Sequence, residues 1–195
     1  GVDTTYILAD TLLTVEDTLL QVQKQILAYH NVRIYKSDLQ AVCDSLNYDF
    51  ADSSIYFYTN PIMWNNLNQI TGDSMRVEFK NKNIDKVFTV GHSFTIQNHH
   101  GNQFDQIKGR KTIASFLDNK LDKINVNGNG ECLYFSNDDE QKIFNGVNKI
   151  ECSKMIVGFK DGELIDVTFL TLPVAHFYPP SALSRDILFY KGFSW

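Results

Sequence analysis

No stretch of this sequence approaches the roughly 18 consecutive apolar residues that a bilayer-spanning helix needs, so no transmembrane helix is expected. Prolines number only 4 and glycines 11, against 9 Tyr and 14 Phe, which excludes a collagen-like, low-complexity or disordered chain. The 18 Lys and Arg are scattered singly under a net charge of -5, leaving no basic stripe to neutralise phosphates and no expectation of a nucleic-acid partner. Cysteine is as sparse. Cys43, Cys132 and Cys152 have neither the density of a disulfide framework nor the close spacing of a zinc site, and at least one must be unpaired within the chain. The opening Gly1-Val2-Asp3 lacks the basic and apolar regions of a signal peptide, so either the chain is never exported or a targeting segment was removed ahead of it.

What is present is a chain of 195 residues, 43% of them hydrophobic, which suffices for a sizeable core in one domain or two small ones. It also carries an internal repeat. Residues 72–87 reappear at 109–124 and again at 152–167, each time as an apolar alternation followed by a polar break and a second apolar run. Met75, Val77 and Phe79, then Thr112, Ala114 and Phe116, then Met155, Val157 and Phe159 stand two apart, the period of a strand with one face inside. The breaks Asn81-Lys82, Asn119-Lys120 and Asp161-Gly162 are tight-turn chemistry, so each copy is expected to be a β-hairpin. The second strands are read as Val87 to Val90, Ile124 to Val126 and Val167 to Leu170. A two-residue turn that pairs Phe79 with Ile84 would put Val87 on the wrong face, so either the turn is longer or a bulge lies near Asp85, Asp122 and Ile165.

Weaker relatives lie upstream. Ala9-Asp10-Thr11-Leu12, Cys43-Asp44-Ser45-Leu46 and Gly72-Asp73-Ser74-Met75 share a small residue, Asp, a hydroxyl and an apolar side chain, and are expected to open successive strands. Residues 31–35 and 54–58 read as further strands, and 18–29 is assigned to strand over helix. Short strands, hairpin turns and no alternation with helices predict an all-β fold of stacked antiparallel β-hairpins, forming an elongated, V-shaped β-jellyroll. Stacking joins the inner faces, with Phe79, Phe116 and Phe159 as the expected ladder. The recurring Asp, with Gly72, Gly91, Gly109, Gly128 and Gly130, is read as turn and bulge chemistry. Residues 1–195 are expected to form a single domain, whole or cut from a longer protein.

Chemistry-bearing constellations are missing. No nucleophile and base, and no aimed pair of carboxylates, stands out, so no catalytic residues, no enzyme activity and no cofactor are expected. Asp73, Glu78, Asp161 and Glu163 read as outward positions of hairpins. His92, His99 and His100 read as exposed loop residues, Asn137-Asp138-Asp139-Glu140 lacks the ligand pattern of a calcium loop, and no metal site is expected. Asn127-Gly128-Asn129-Gly130 lacks the Lys and hydroxyl of a phosphate loop. Function then rests on the shape of the stack, whose apolar groove suits an acyl chain and whose strand edges suit another protein. Residues 187–190 offer one more possible strand, and Lys191 with Pro179-Pro180 a stop for the edge.

Val32-Arg33-Ile34-Tyr35, Cys43-Asp44-Ser45-Leu46-Asn47-Tyr48, Asn68-Gln69-Ile70-Thr71-Gly72-Asp73 and the Asp-Gly hairpins together resemble the OstA-like family, the organic-solvent-tolerance and lipopolysaccharide-transport β-domains, in its Bacteroidetes form. The similarity runs from about Tyr6 to Pro180. It implies a jellyroll that holds the acyl chains of lipopolysaccharide, or a similar acylated glycolipid, between two sheets. It also implies a place in the periplasm or at the periplasmic face of the outer membrane, and joining head to tail, or to other envelope transport proteins, through terminal strands. Carried onto this chain, the lipid-facing or core candidates are Met75, Val77, Phe79, Ala114, Phe116, Met155, Val157 and Phe159. The alternative is a structural or protein-interaction β-domain of a larger envelope protein. Insertions around 97–106 and 136–148 are expected to be irregular, and the end at Trp195 to be an ordered cap or the cut edge of a larger protein.

Overall fold

A computed structural model describes residues 4–20, 22–99, 101, 103–138, 143–161 and 163–195. Among them are the strands β1 (Tyr6–Leu8), β2 (Thr11–Asp17), β3 (Val22–Lys36), β4 (Leu39–Asp49), β5 (Ser54–Tyr58), β6 (Ile62–Asn65) and β7 (Asn68–Thr71). They are followed by β8 (Ser74–Lys80), β9 (Asn83–His99), β10 (Gln103–Leu117), β11 (Lys120–Asp138), β12 (Ile143–Lys160), β13 (Glu163–Leu170) and β14 (Val174–Tyr178). Near the end come a 3-10 turn at Pro180–Ala182 and, among the described residues, one short α-helix, α1 (Arg185–Leu188). The strand pairings are all antiparallel and join into one hydrogen-bonded network. The fold is the expected all-β jellyroll.

The long strands belong to two sheets at once. In β9, residues 83–90 pair with β8 while 94–97 pair with β7. In β4, residues 45–49 pair with β5 while 40–42 pair with β6. Tracing every pairing this way gives a first sheet ordered β2, β3, β4, β5, β8, β9, β10, β11, β12, β13 and a second ordered β1, β3, β4, β6, β7, β9, β10, β11, β12, β14. They meet along a line of corners where the register breaks, between Tyr29 and Val32, Gly109 and Lys111, and Asn127 and Gly130.

At each corner one strand turns through consecutive left-handed residues: His30-Asn31, Thr59-Asn60, Gly91-His92, Gly128-Asn129 and Thr171-Leu172. At the His30-Asn31 and Gly91-His92 corners the neighbouring segments supply the recurring Asp. Asn31 Nδ2 donates to Asp10 at 2.8 Å, His30 Nδ1 lies 3.2 Å from Asp44, and His92 Nδ1 lies 2.9 Å from Asp73. The repeated Asp is therefore corner chemistry, as its turn-forming habit implies. Asp10 and Asp73 do sit just before β2 and β8, whereas Asp44 bends the middle of β4.

The three repeated hairpins resolve the question of turn or bulge. Glu78 pairs with Lys86 but Phe79 with Ile84, leaving Asp85 as the extra residue; the same slip leaves out Asp122 and Ile165. Each turn is tight, with Asn81 and Lys82 at φ 52° and 69°, and the bulge returns Val87 to the inner face. The middle turn is formed by Asp118 and Asn119, at φ 50° and 60°, one residue earlier than expected, because Leu117 pairs with Lys120. In the third, Asp161 has φ 54° and Gly162 lies outside the described residues.

Of residues 18–29, expected to be a strand, 22–29 belong to β3 while 18–20 form a turn and 21 lies outside the described residues; β5 covers 54–58 as expected. The expected irregular insertions are instead the far ends of two hairpins: β9 extends to His99 and β10 starts at Gln103, while β11 extends to Asp138 and β12 starts at Ile143. Residues 187–190 are not a strand, since Ile187 and Leu188 close α1. Residues after Pro179 form a strap over the outer face of the second sheet, where Phe94, Ile96 and Phe104 are buried beneath Phe189, Tyr190 and Phe193. Gln106, fully buried, accepts from Tyr190 N–H at 2.9 Å and donates to the Leu188 carbonyl at 2.8 Å. Gln69 donates to the Ser194 carbonyl at 2.6 Å, which holds the aromatic end against the second sheet.

Candidate lipid-facing interior

Residues opposite one another in an antiparallel pair share a face, so register decides which side chains meet between the sheets. On the first sheet Met75 and Val77 of β8, Ala114 and Phe116 of β10, and Met155, Val157 and Phe159 of β12 are all buried, with Val77 and Val157 at 0% exposure. Phe79, beside its turn, is partly buried and packs against the same cluster. The expected candidates therefore occupy one interior. Every one of them comes from the first sheet. The opposing wall, missed in the sequence, is built from Val32, Ile34, Leu39, Ala41, Met63, Ile70 and Ile107 of the second sheet. Its signal was the alternation of Val32 with Ile34 and of Leu39 with Ala41, which is legible only once the corner is known.

The interior is not apolar throughout. Along β9 the inward residues change from Val87 to Thr89, Ser93, Thr95 and Gln97, all buried. Ser93 and Thr112 hydroxyls lie 2.6 Å apart. Toward the hairpin ends, Asp105 is buried at 3% exposure; its carboxylate accepts from Phe135 N–H at 2.9 Å and lies 2.6 Å from His99 Nε2. Hydrogen bonding to Asp105 raises the pKa of His99 above its ordinary value, against the opposing effect of burial, and Glu163 adds to the rise. His99 is thus a half-buried strand residue, not an exposed loop one. His92 is exposed at its corner and His100 lies outside the described residues.

Where the free ends of the two sheets come together there is a cleft of about 360 Å³, lined by Asn66, Asn68 and His99 on one side and Lys120, Leu121 and Glu163 on the other. Leu121 also belongs to the core, so this cleft borders the apolar interior. Lys120 is paired with Asp161 at 3.1 Å, and Arg76 with Glu78 at 2.9 Å while its guanidinium covers the Phe88 ring at 4.2 Å.

Cys43 and Cys152 occupy equivalent corner positions, each donating its thiol to the carbonyl two residues on, at 3.2 and 3.0 Å. All three cysteines are free. Burial pushes the Cys43 thiol up to about 11 and raises those of Cys132 and Cys152, which suits packing and not nucleophilic chemistry. Among the described residues no cluster of three or more His, Cys, Asp or Glu could hold a metal ion, and no helix is long and apolar enough to cross a membrane. Asp139 and Glu140 of the acidic run lie outside the described residues.

No protein-family model matches the chain, and no curated protein matches its sequence. Among solved structures it is similar to LptH of Pseudomonas aeruginosa, described as the LptA-homologous periplasmic component of the conserved lipopolysaccharide transport device. The TM-score is 0.53 at 13% identity, over 69% of this chain and 82% of that one. The likeness carries the fold: this chain is a jellyroll of the LptH kind.

Proposed function

We propose that this chain is a non-enzymatic carrier of lipopolysaccharide or a similar acylated glycolipid, holding acyl chains between its two sheets during transport or assembly between inner and outer membranes. The single observation that carries the reading is the pair of facing sheets hinged on one line of corners around a large apolar cluster. That arrangement can admit an acyl chain by parting at the side opposite the hinge, where backbone hydrogen bonds need not break. Flexible Met63, Met75 and Met155 line the interior and can repack around a guest. The fold shared with LptH and the OstA-like residues noted above support the same ligand class and a periplasmic setting. Met75, Val77, Phe79, Ala114, Phe116, Met155, Val157 and Phe159 form one wall of the proposed acyl site, within a single module spanning 1–195.

The terminal strands favour a second role. At one end Leu12, Leu13 and Val15 of β2 are exposed, and at the other Ile165 and Leu170 of β13 with Val174 and Phe177 of β14. Both ends present unpaired strand edges with apolar side chains, which suits joining to a further copy or to another envelope protein by strand addition. Displacement of a fluorescent lipid probe tests the carrier reading. Purified lipopolysaccharide displaces the probe in a saturable way if it is right; failure of saturating lipopolysaccharide to displace the probe or to bind directly rejects it and leaves the edge-pairing role alone.

A further inference from the structure

We infer that Thr89 and Thr95 read a hydroxyl group carried on the bound acyl chain, so that the interior selects hydroxylated chains over plain ones. The inference rests on the acyl-carrier reading above and names its substrate class more closely.

Both threonines face inward. Thr89 of β9 stands opposite Met75 and Thr112, and Thr95 stands opposite Ile70 and Ile107. Met75, Ile70 and Ile107 belong to the apolar core, so the face is fixed by register. The two residues are 1% and 2% exposed, and the Oγ1 atom of each is buried without a hydrogen-bond partner. Between them in the chain, on the same inner side of the corner, Ser93 satisfies Thr112 at 2.6 Å. The shortage therefore belongs to Thr89 and Thr95, on either side of a satisfied pair.

A buried hydroxyl without a partner costs more than its burial returns, and a valine would fill nearly the same space without that cost. A hydrocarbon chain entering here supplies no partner. A chain bearing a hydroxyl supplies a donor and an acceptor together, and a threonine hydroxyl rotates to serve either. The band lies on the hinge side, beside Gly72, whose missing side chain leaves room for the Thr89 methyl. A guest reaches it only when lodged fully between the sheets.

The test compares myristate with β-hydroxymyristate, which differ by one oxygen, by direct calorimetric titration of the full chain. The expected result is about fivefold tighter binding of the hydroxylated chain, the worth of one net hydrogen bond. A Thr89→Val, Thr95→Val double variant is expected to lose the preference and bind both acids equally; the two single variants repeat the comparison should the double variant fold poorly. Equal binding of the two acids by the unaltered chain, or a preference that survives in the valine variants, overturns the inference and leaves the hydroxyls to an ordered water. That outcome keeps the carrier reading, because both acids still bind. Binding of neither acid overturns this inference, and displacement of the lipid probe by lipopolysaccharide then decides the carrier reading separately.

Discussion

His99 and Asp105 show what sequence can and cannot tell at the scale of a residue. His99 looks like a loop residue beside a turn, because Gly101 follows closely; yet the strand continues to His99, and Asp105 on the returning strand is its diagonal neighbour. The pairing depends on a register that no local pattern states. Because the folded-state pKa of His99 is raised, mainly through Asp105, folding takes up a proton there. The contribution is complete below the ordinary histidine value of 6.5 and is lost as pH rises through the higher folded value. The stability gap between the unaltered chain and a His99→Gln variant is therefore expected to be widest below about pH 6.5 and to narrow as pH rises, read as thermal midpoints across a pH series. A gap that widens toward alkaline pH contradicts the assignment. The corner aspartates were legible as turn-formers from their company alone, whereas their partners Asn31, His30 and His92 were not, since each sits on a neighbouring strand.

At the scale of the element, the hairpins were the most legible part of the chain. Alternation at Met75, Val77 and Phe79 and its two repeats located the strands, and the mismatch of Val87 with a regular ladder pointed to the bulge at Asp85 as one of two choices. The strand ends were harder. The second strands were read as stopping near Val90 and Val126 because Gly91 and Gly128 look like turn residues; the chain does bend there, but hydrogen bonding resumes on the other sheet. A corner and a turn carry the same residues, and only the next partner strand tells them apart. Gly91 gives a direct test of the corner. It has φ 71°, and a Cβ there would collide with the Asp73 side chain, whereas Gly101 has φ 91° with open space around it. Gly101→Ala is expected to cost about 1–2 kcal/mol from backbone strain alone. Gly91→Ala should cost more, by denaturant titration, because it also displaces Asp73 from His92; equal costs contradict the packed corner.

On the scale of the whole molecule, the sequence offered one wall and the fold supplied the other. The eight candidate residues all lie on the first sheet, and the second wall comes from the other halves of the same strands, so its composition followed only from where each strand bends. The strap of residues 179–195 was foreshadowed by its aromatic end, but its seat on Phe94, Ile96 and Phe104 was not, because Phe94 and Ile96 lie beyond the strand read as ending at Val90 and Phe104 lies in a stretch expected to be irregular. The central claim is that acyl chains occupy the space between the sheets. The most direct measurement places a photoreactive amino acid at Val157, inside, and in a separate variant at Phe88, on the outer face beneath Arg76, then illuminates each with lipopolysaccharide bound. Crosslinking of the acyl portion at Val157 and none at Phe88 is the predicted result, while crosslinking at Phe88 with none at Val157 would place the lipid on the surface and contradict the account.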